Sequence, residues 1–126
     1  MVFDRQVRGR GARKWRLVLD DHPEPLGHRS VLRAYDGRAE AGLLCFFLVE
    51  VGVAKTIQVA DLQVGEQYRR RGLATLLWEQ MESYVAARYG PCLVDHGGLT
   101  ADGKLWFARY RAGHADSAHS YFPARA

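Results

Sequence analysis

Cysteine is scarce in this chain, and its scarcity argues against two classes of protein. The 126 residues include two cysteines, Cys45 and Cys92, and both lie within apolar runs. A small secreted domain held together by disulfides uses more cysteines, so we expect two buried, reduced thiols. Neither cysteine belongs to a cluster of cysteines and histidines of the kind that binds zinc, and the sequence therefore predicts no metal cofactor.

Long hydrophobic runs are also missing. No apolar run approaches the roughly 20 residues that a membrane-spanning helix requires. The first residues, Met1–Arg5, lack the apolar core of a signal peptide. We therefore predict a cytoplasmic protein without a membrane partner. A chain of 126 residues is long enough to bury its own core, and we expect residues 1–126 to form one domain.

The positive charge is unevenly distributed along the chain. The formal net charge is +4, and two arginine-rich segments lie at residues 5–16 and at Arg69–Arg71. The first segment is interleaved with Gly9 and Gly11, so we interpret residues 1–12 as a flexible, solvated basic arm. Binding of RNA or DNA by this arm is the less favoured interpretation.

The order of apolar segments predicts several strands, then a helix, a strand and a second helix. Pro23 and Pro25 argue against a helix or a central strand in residues 20–27, and Asp36-Gly37 predicts a hairpin turn. Helical spacing of apolar residues predicts helices over 72–88 and 100–112. Strand patterns cover residues 14–19, 29–35, 43–51, 57–64 and 92–94, with a short final strand expected at 120–122. The fold class is α+β or α/β.

The strand over residues 57–64 contains an irregularity. Apolar residues occupy odd positions at Ile57 and Val59, and even positions at Leu62 and Val64. A regular strand has a period of two, so this change of phase requires one extra residue near Ala60-Asp61. The pattern predicts a β-bulge.

Directly after this strand, the sequence is suited to binding a diphosphate. Gly72 allows close approach of the backbone, and the helix that follows begins with several unpaired main-chain N–H groups. The helix dipole and Arg69–Arg71 add positive charge at the same place. The segment is neither a P-loop nor a Rossmann turn, because it contains neither Gly-Lys-Ser/Thr nor Gly-x-Gly-x-x-Gly.

Arg69-x-x-Gly72-x-Ala74 matches the (Gln/Arg)-x-x-Gly-x-(Gly/Ala) signature of the GNAT superfamily of acyl-CoA N-acyltransferases. With a bulged strand before it and a helix after it, the chain resembles a short member of that superfamily. The resemblance implies a mixed, mostly antiparallel sheet whose fourth strand is bulged, and acetyl-CoA as co-substrate. It implies cofactor contacts by Leu62, Gln63, Val64, Arg69, Arg70, Arg71, Gly72, Leu73, Ala74 and Thr75, with a main-chain amide near Leu62 directed at the thioester carbonyl.

The resemblance also suggests catalytic residues. Asp61, at the bulge, is the candidate base for the amine proton, and a purely structural carboxylate is the alternative. His96 is the rival base. Family members commonly protonate the departing thiolate with a tyrosine on the last helix, and Tyr110 is the tyrosine available there. Core packing is the alternative role for the aromatic residues of that helix.

These expectations lead to an N-acetyltransferase that transfers acetyl from acetyl-CoA directly to a primary amine of a small molecule or peptide. The segments that usually shape the acceptor pocket are short here, which keeps a non-catalytic acyl-CoA-binding domain as an alternative. An enzyme that acetylates aminoacyl-tRNA is a further alternative, based on the basic arm. Because residues 92–94 would leave an uncovered strand edge, we also expect a homodimer, with pairing through Ser120–Phe122 as one arrangement.

Overall fold

The computed structural model describes residues 1–24, 27–52, 54–97, 99–114 and 119–121, which form a mixed sheet with two helices. Short 3-10 turns lie at Arg10–Ala12 and Glu66–Tyr68. The main elements are β1 (Phe3–Arg8), β2 (Lys14–Glu24), β3 (Gly27–Asp36), β4 (Ala39–Val51), β5 (Ala54–Val64), α1 (Leu73–Tyr89), β6 (Leu93–Asp95), α2 (Ala101–Gly113) and β7 (Ser120–Tyr121).

The strands lie in the sheet in the same order as in the chain. β1 to β5 form an antiparallel meander, whereas β6 runs parallel to β5 and β7 runs parallel to β6. A parallel neighbour needs a crossover connection, and α1 and α2 lie in those two connections. The predicted mixed, mostly antiparallel sheet with two main helices is confirmed, and each helix begins and ends one residue later than predicted.

One face of the sheet carries the hydrophobic core. Alternate residues of β2 to β5 point to this face and pack under the apolar side of α1, which contributes Leu77, Trp78 and Met81. The Trp78 ring also contacts Trp106 and Tyr110 of α2, so the second helix lies beside the first. The strand residues of this core are Trp15, Leu17, Leu19, Leu32, Ala34, Ala41, Leu44, Phe46, Leu48, Ile57, Val59 and Val94.

The expectation of a flexible arm is wrong for residues 3–8, which form β1. This strand pairs with β2 from Phe3↔Leu19 to Arg8↔Lys14. Phe3 and Val7 lie on the core face and pack against the core, and that apolar contact holds the strand in place. β1 adds a strand at the start of the sheet, so the bulged strand is the fifth in this chain and not the fourth.

Residues 20–24 extend β2 past its predicted end at residue 19 and beyond its pairing with β1, and they form neither a helix nor a central strand, as expected. Pro23 pairs with His28 of β3, and β1 reaches only as far as Leu19. β2 is therefore an edge strand around Pro23, where a missing N–H removes no sheet hydrogen bond on the open side. The expected turn after β3 is confirmed by the pair Asp36↔Ala39 and by a φ of +61° at Gly37.

The strand edge that motivated a homodimer is covered within the chain. Ser120–Tyr121 pair with Leu93 and Val94 of β6, so the β6 edge, which was the reason for expecting pairing across a dimer axis, is already paired inside the chain. Phe122, which that proposal also used, lies outside the described residues. The dimer itself stays a prediction, and it no longer rests on an uncovered β6 edge.

Candidate active site

The predicted bulge is present, and it lies in β5. Cys45 of β4 pairs with Asp61 and the next residue, Phe46, pairs with Val59, so Ala60 is the extra residue. Bulges bend a strand and change the direction of its main-chain groups. The second half of β5 is therefore reoriented relative to the first half.

β6 leaves β5 close to this bulge. The parallel pairing covers Thr56–Gln58 of β5, opposite Leu93–Asp95, and β6 ends there. The chain then turns at Gly97, whose φ is +69°, and a Cβ at this position would lie 2.7 Å from the carbonyl oxygen of Val59. Only glycine allows so close a passage. The two strands diverge from this point and leave the later part of β5 without a β6 partner.

The loop between β5 and α1 is anchored by a buried residue and contains two left-handed residues. Tyr68 is 7% exposed and its ring packs edge-on against Trp15 at 5.8 Å. Arg70 has φ +64° and Gly72 has φ +77°. A left-handed conformation is strained for arginine, and such strain tends to occur at ligand-binding loops.

α1 begins directly after Gly72 without a side-chain cap. In its first main-chain hydrogen bond, the Leu76 amide donates to the Gly72 carbonyl at 3.0 Å. The amides of Leu73, Ala74 and Thr75 precede that bond and have no acceptor inside the helix. Together with the helix dipole, these groups favour an anion at this end.

The side chains of the predicted cofactor contacts have different environments. Leu73 is 1% exposed and belongs to the core, so only its main chain can serve a ligand. The Thr75 hydroxyl accepts a hydrogen bond from the Trp106 indole at 3.0 Å. The guanidinium of Arg69 donates to the Val64 carbonyl at 3.3 Å and stabilises the turn. Leu62 and Val64 share the core face of β5, and Gln63 is exposed on the other face.

Sequence reasoning missed a contribution from the β1–β2 connection. An open cleft beside the loop is lined by Arg10, Gly11, Arg13, Arg70 and Arg71. The first three come from the arginine-rich segment at residues 5–16, and their approach depends on the pairing of β1 with β2. The density of arginine in that segment was the available signal, but it did not identify what the arginines would face.

Asp61 lies at the bulge on the face of the sheet opposite α1. Its side chain is half-buried and accepts a hydrogen bond from the Gln63 amide at 2.7 Å. Cys45 is directly opposite in the β4–β5 pairing. Asp61 is thus beside the reoriented strand, in a position to reach a molecule that approaches from the face away from the helices.

The rival base, His96, lies where β5 and β6 diverge. Its ring is 7% exposed, and its centre is 4.9 Å from that of Phe107. Nδ1 is 3.0 Å from the carbonyl oxygen of Gly97. A carbonyl can only accept, so Nδ1 carries the proton in this contact and Nε2 is the basic nitrogen.

The structure does not bring Tyr110 to an open site. The residue is 4% exposed, and its ring stacks on His114 with centres 4.0 Å apart. Its hydroxyl is buried and has no hydrogen-bond partner among the described residues. Burial, and then the nearby Glu82 carboxylate, raise the pKa of Tyr110. This environment matches the packing role that the sequence left open.

Metal-binding groups and membrane-spanning helices were not expected from the sequence. Within the described ranges, no three side chains among His, Cys, Asp and Glu converge on a point that could hold a metal ion. Neither helix seen there is long and apolar enough to span a membrane.

Comparison with known proteins agrees with this geometry. The family model described as the acetyltransferase (GNAT) family matches residues 3–93, whereas no curated protein matches the chain. An aminoglycoside acetyltransferase, HMB0005, from an uncultured soil metagenomic sample has a similar structure, with a TM-score of 0.56 and 22% identity over 82% of this chain and 68% of that one. AAC(6')-Iy, solved with the bisubstrate analogue CoA-S-monomethyl-acetylneamine, has a TM-score of 0.53 and 12% identity over 78% of this chain and 69% of that one.

The two structural matches establish the fold, and the family match spans β1 to the start of β6. Its range therefore includes the bulge, the basic loop and the whole of α1. This chain belongs to the GNAT family of acetyltransferases.

Proposed function

We propose that this chain transfers the acetyl group of acetyl-CoA directly to a primary amine of a small molecule. The observation that carries this proposal is the continuity of three features in a GNAT-family chain. They are the bulge at Ala60, the unpartnered end of β5, and the arginine-rich loop at the start of α1. Together they form a path along which an acyl-CoA can extend from its thioester to its phosphates.

The residues present fit the chemistry of acetyl-CoA. Main-chain groups of Leu62, Gln63 and Val64 would pair with the amide-containing arm, as a neighbouring strand does. The diphosphate would bind the amides of Gly72, Leu73, Ala74 and Thr75, with Arg69–Arg71 contributing positive charge. When bound, acetyl-CoA supplies an activated thioester.

The protein's part in the reaction is to position the amine and to manage one proton. The acceptor arrives as an ammonium ion and first gives up one proton to become a nucleophilic amine. A C–N bond then forms between the amine and the acetyl carbon as the C–S bond breaks, and the second proton leaves the nitrogen to solvent. We assign the first proton to the Asp61 carboxylate, directly or through a water molecule. A reoriented amide near Leu62 would stabilise the negative charge on the carbonyl oxygen. The thiolate takes its proton from solvent, because the Tyr110 hydroxyl is buried.

A small cationic amine is the acceptor class that we favour. Two structural neighbours are an aminoglycoside acetyltransferase and a protein bound to an acetylneamine bisubstrate analogue. The open face around Asp61 carries a carboxylate that attracts an ammonium group. A peptide amine fits the same chemistry. A cytoplasmic location stays a prediction.

The two alternatives make different predictions. A non-catalytic domain would bind acetyl-CoA and release no thiol with any amine. An enzyme acting on aminoacyl-tRNA would transfer acetyl to that substrate and bind RNA in a salt-sensitive manner. The arginines of residues 5–16, which motivated this alternative, partly line the cleft beside the loop of residues 65–72, called the cofactor loop below. This placement favours the small-molecule proposal.

The test is acetyl transfer by the purified chain with a panel of amines. The panel contains an aminoglycoside such as neamine, a polyamine, a peptide N-terminus and an aminoacyl-tRNA. Thiol release measures turnover, and mass spectrometry identifies the acetylated product. We expect turnover with at least one small amine. Acetyl-CoA binding without turnover of any amine in the panel would support the non-catalytic alternative. If acetyl-CoA did not bind at all, both the proposed transferase and the non-catalytic alternative would be overturned.

A further inference from the structure

Arg10 connects the β1–β2 hairpin to the cofactor loop. Its Nη2 donates to the Arg70 carbonyl at 2.7 Å. Its side chain also crosses the α-carbon of Gly72, because a Cβ at Gly72 would lie 3.6 Å from the Arg10 Cβ and 3.8 Å from its Nε. A guanidinium has five N–H donors, so the bond to Arg70 leaves most of them for a ligand.

Arg13 reaches the same cleft in a more constrained way. Its Nη2 forms an ion pair with Asp36 at 2.8 Å, and its guanidinium carbon lies 4.8 Å from the Trp15 ring centre. Its Nε is buried and has no hydrogen-bond partner among the residues that the structure describes. Arg13 is therefore a fixed cation beside Arg10.

The cleft holds more positive charge than a diphosphate requires. It is lined by four arginines, Arg10, Arg13, Arg70 and Arg71, and the ion pair with Asp36 neutralises Arg13. A diphosphate diester carries about two negative charges, and the amides at the start of α1 already serve it. A phosphomonoester at neutral pH carries roughly −1.5 to −2 and bonds well to guanidinium groups. The surplus charge suits a second, monoester phosphate.

The position of the cleft indicates which phosphate this is. A cofactor that has its thioester at the bulge and its diphosphate at the loop runs from Asp61 past Val64 to Gly72. Arg10 contacts the far end of that loop, at Arg70 and Gly72. The nucleotide end of the cofactor is the part that extends in this direction.

We propose that Arg10, presented by the β1–β2 hairpin, binds the ribose 3′-phosphate of coenzyme A, with Arg13 as a second cation in the same cleft. The inference rests on the proposed use of acetyl-CoA and adds a specificity determinant outside the loop. The N-terminal hairpin thereby lets the protein distinguish coenzyme A from its 3′-dephospho form.

The test is calorimetric titration of the full chain with coenzyme A and with 3′-dephospho-coenzyme A. The wild-type protein should bind coenzyme A roughly 10-fold more tightly, as expected for a charge-assisted hydrogen bond. Arg10→Gln should lose most of this preference and leave the affinity for the dephospho form nearly unchanged. Arg8→Gln, an exposed exchange on β1, is the matched control and should retain the preference. Arg10→Lys keeps the charge and should retain part of it.

Each other outcome has a separate meaning. Equal weakening of both ligands by Arg10→Gln would show that Arg10 acts only by holding the Arg70 carbonyl, and would overturn the inference. Equal affinity of the wild-type protein for the two ligands would also overturn it, while the proposed function would stand. If neither ligand bound, the proposed function would itself fail. Melting curves of the three variants establish that each is folded.

Discussion

The indole Nε1 of Trp106 donates a hydrogen bond to the Thr75 hydroxyl at 3.0 Å, which joins α2 to the first turn of α1. The two residues are 31 positions apart in the chain. The sequence predicts Thr75 as a cofactor contact, and this hydrogen bond shows that its side chain also joins the two helices. The helix whose amides we propose to bind the cofactor is thus held by the helix that follows it.

Replacing Thr75 by valine keeps the shape and removes the acceptor of that bond. A half-buried indole N–H then has no partner, which should lower the free energy of unfolding by about 1–3 kcal/mol. Chemical denaturation measures the change. Thr75→Ser, which keeps the hydroxyl, is the control and should remain close to wild type. Equal stability of the valine variant would show that the bond contributes nothing.

Gly72 should be essential for cofactor binding. Acetyl-CoA at 100 times its Kd should stabilise the native protein by about 2.7 kcal/mol, measured as a rise in Tm. Gly72→Val places a β-branched residue at φ +77° and beside Arg10, so the loop must rearrange and the rise should disappear. Gly90 has the same φ at the other end of α1 with open space around it. Gly90→Val should lower the stability of the protein but keep the rise in Tm with acetyl-CoA. If the rise also disappeared in Gly90→Val, the effect of Gly72→Val would not be local to the loop.

Asp61→Asn tests the proposed base with little change of shape. The asparagine oxygen can still accept from Gln63, but the residue cannot take a proton. Turnover should fall by roughly 10²–10⁴-fold while acetyl-CoA affinity stays nearly constant. Raising the pH should partly restore the rate, because more of the amine is already deprotonated. A near-normal rate at neutral pH would show that Asp61 is a structural residue. His96 would then be the candidate base, and His96→Gln would test it.

Tyr110→Phe should leave turnover almost unchanged. The hydroxyl is buried without a hydrogen-bond partner among the described residues, so its removal should keep stability constant or raise it by about 1 kcal/mol. Steady-state rates and thermal melting measure the two effects. If the variant stays folded but turns over slower by roughly 10²-fold or more, Tyr110 is restored as the acid that protonates the thiolate.

We predict a homodimer that uses the sheet face opposite the helices, at the end of β4 beyond Cys45, which leaves the face around Asp61 open. Phe47 and Val49 lie on this part of the face, and each is only partly buried. An apolar surface of this kind is commonly covered by a second copy. Light scattering at micromolar concentration should give a dimer mass, and Phe47→Lys should shift it to a monomer. Ser83→Lys, exposed on α1, is the control. A monomeric wild-type protein would refute the prediction.

Local sequence signals were sufficient for the elements that form around the proposed cofactor path. The change of phase between Val59 and Leu62 predicted the bulge, because strand periodicity is a property of consecutive residues. Apolar spacing and the glycine itself predicted the helix after Gly72. The same applies to the turn at Gly37 and to the start of α2 at Thr100, whose hydroxyl accepts from the Gly103 amide.

The tertiary structure decided what depends on contacts between distant segments. Residues 3–8 look like a polar, basic arm, yet their pairing with β2 and the packing of Phe3 and Val7 make them a strand. That pairing carries Arg10 to a loop 60 positions away, and the docking of α2 on Trp78 buries Tyr110. Sequence alone therefore determined the local geometry and chemistry of the loop. Only the fold decided which distant side chains join it, because long-range packing energies have no signature in the residues next to each contact.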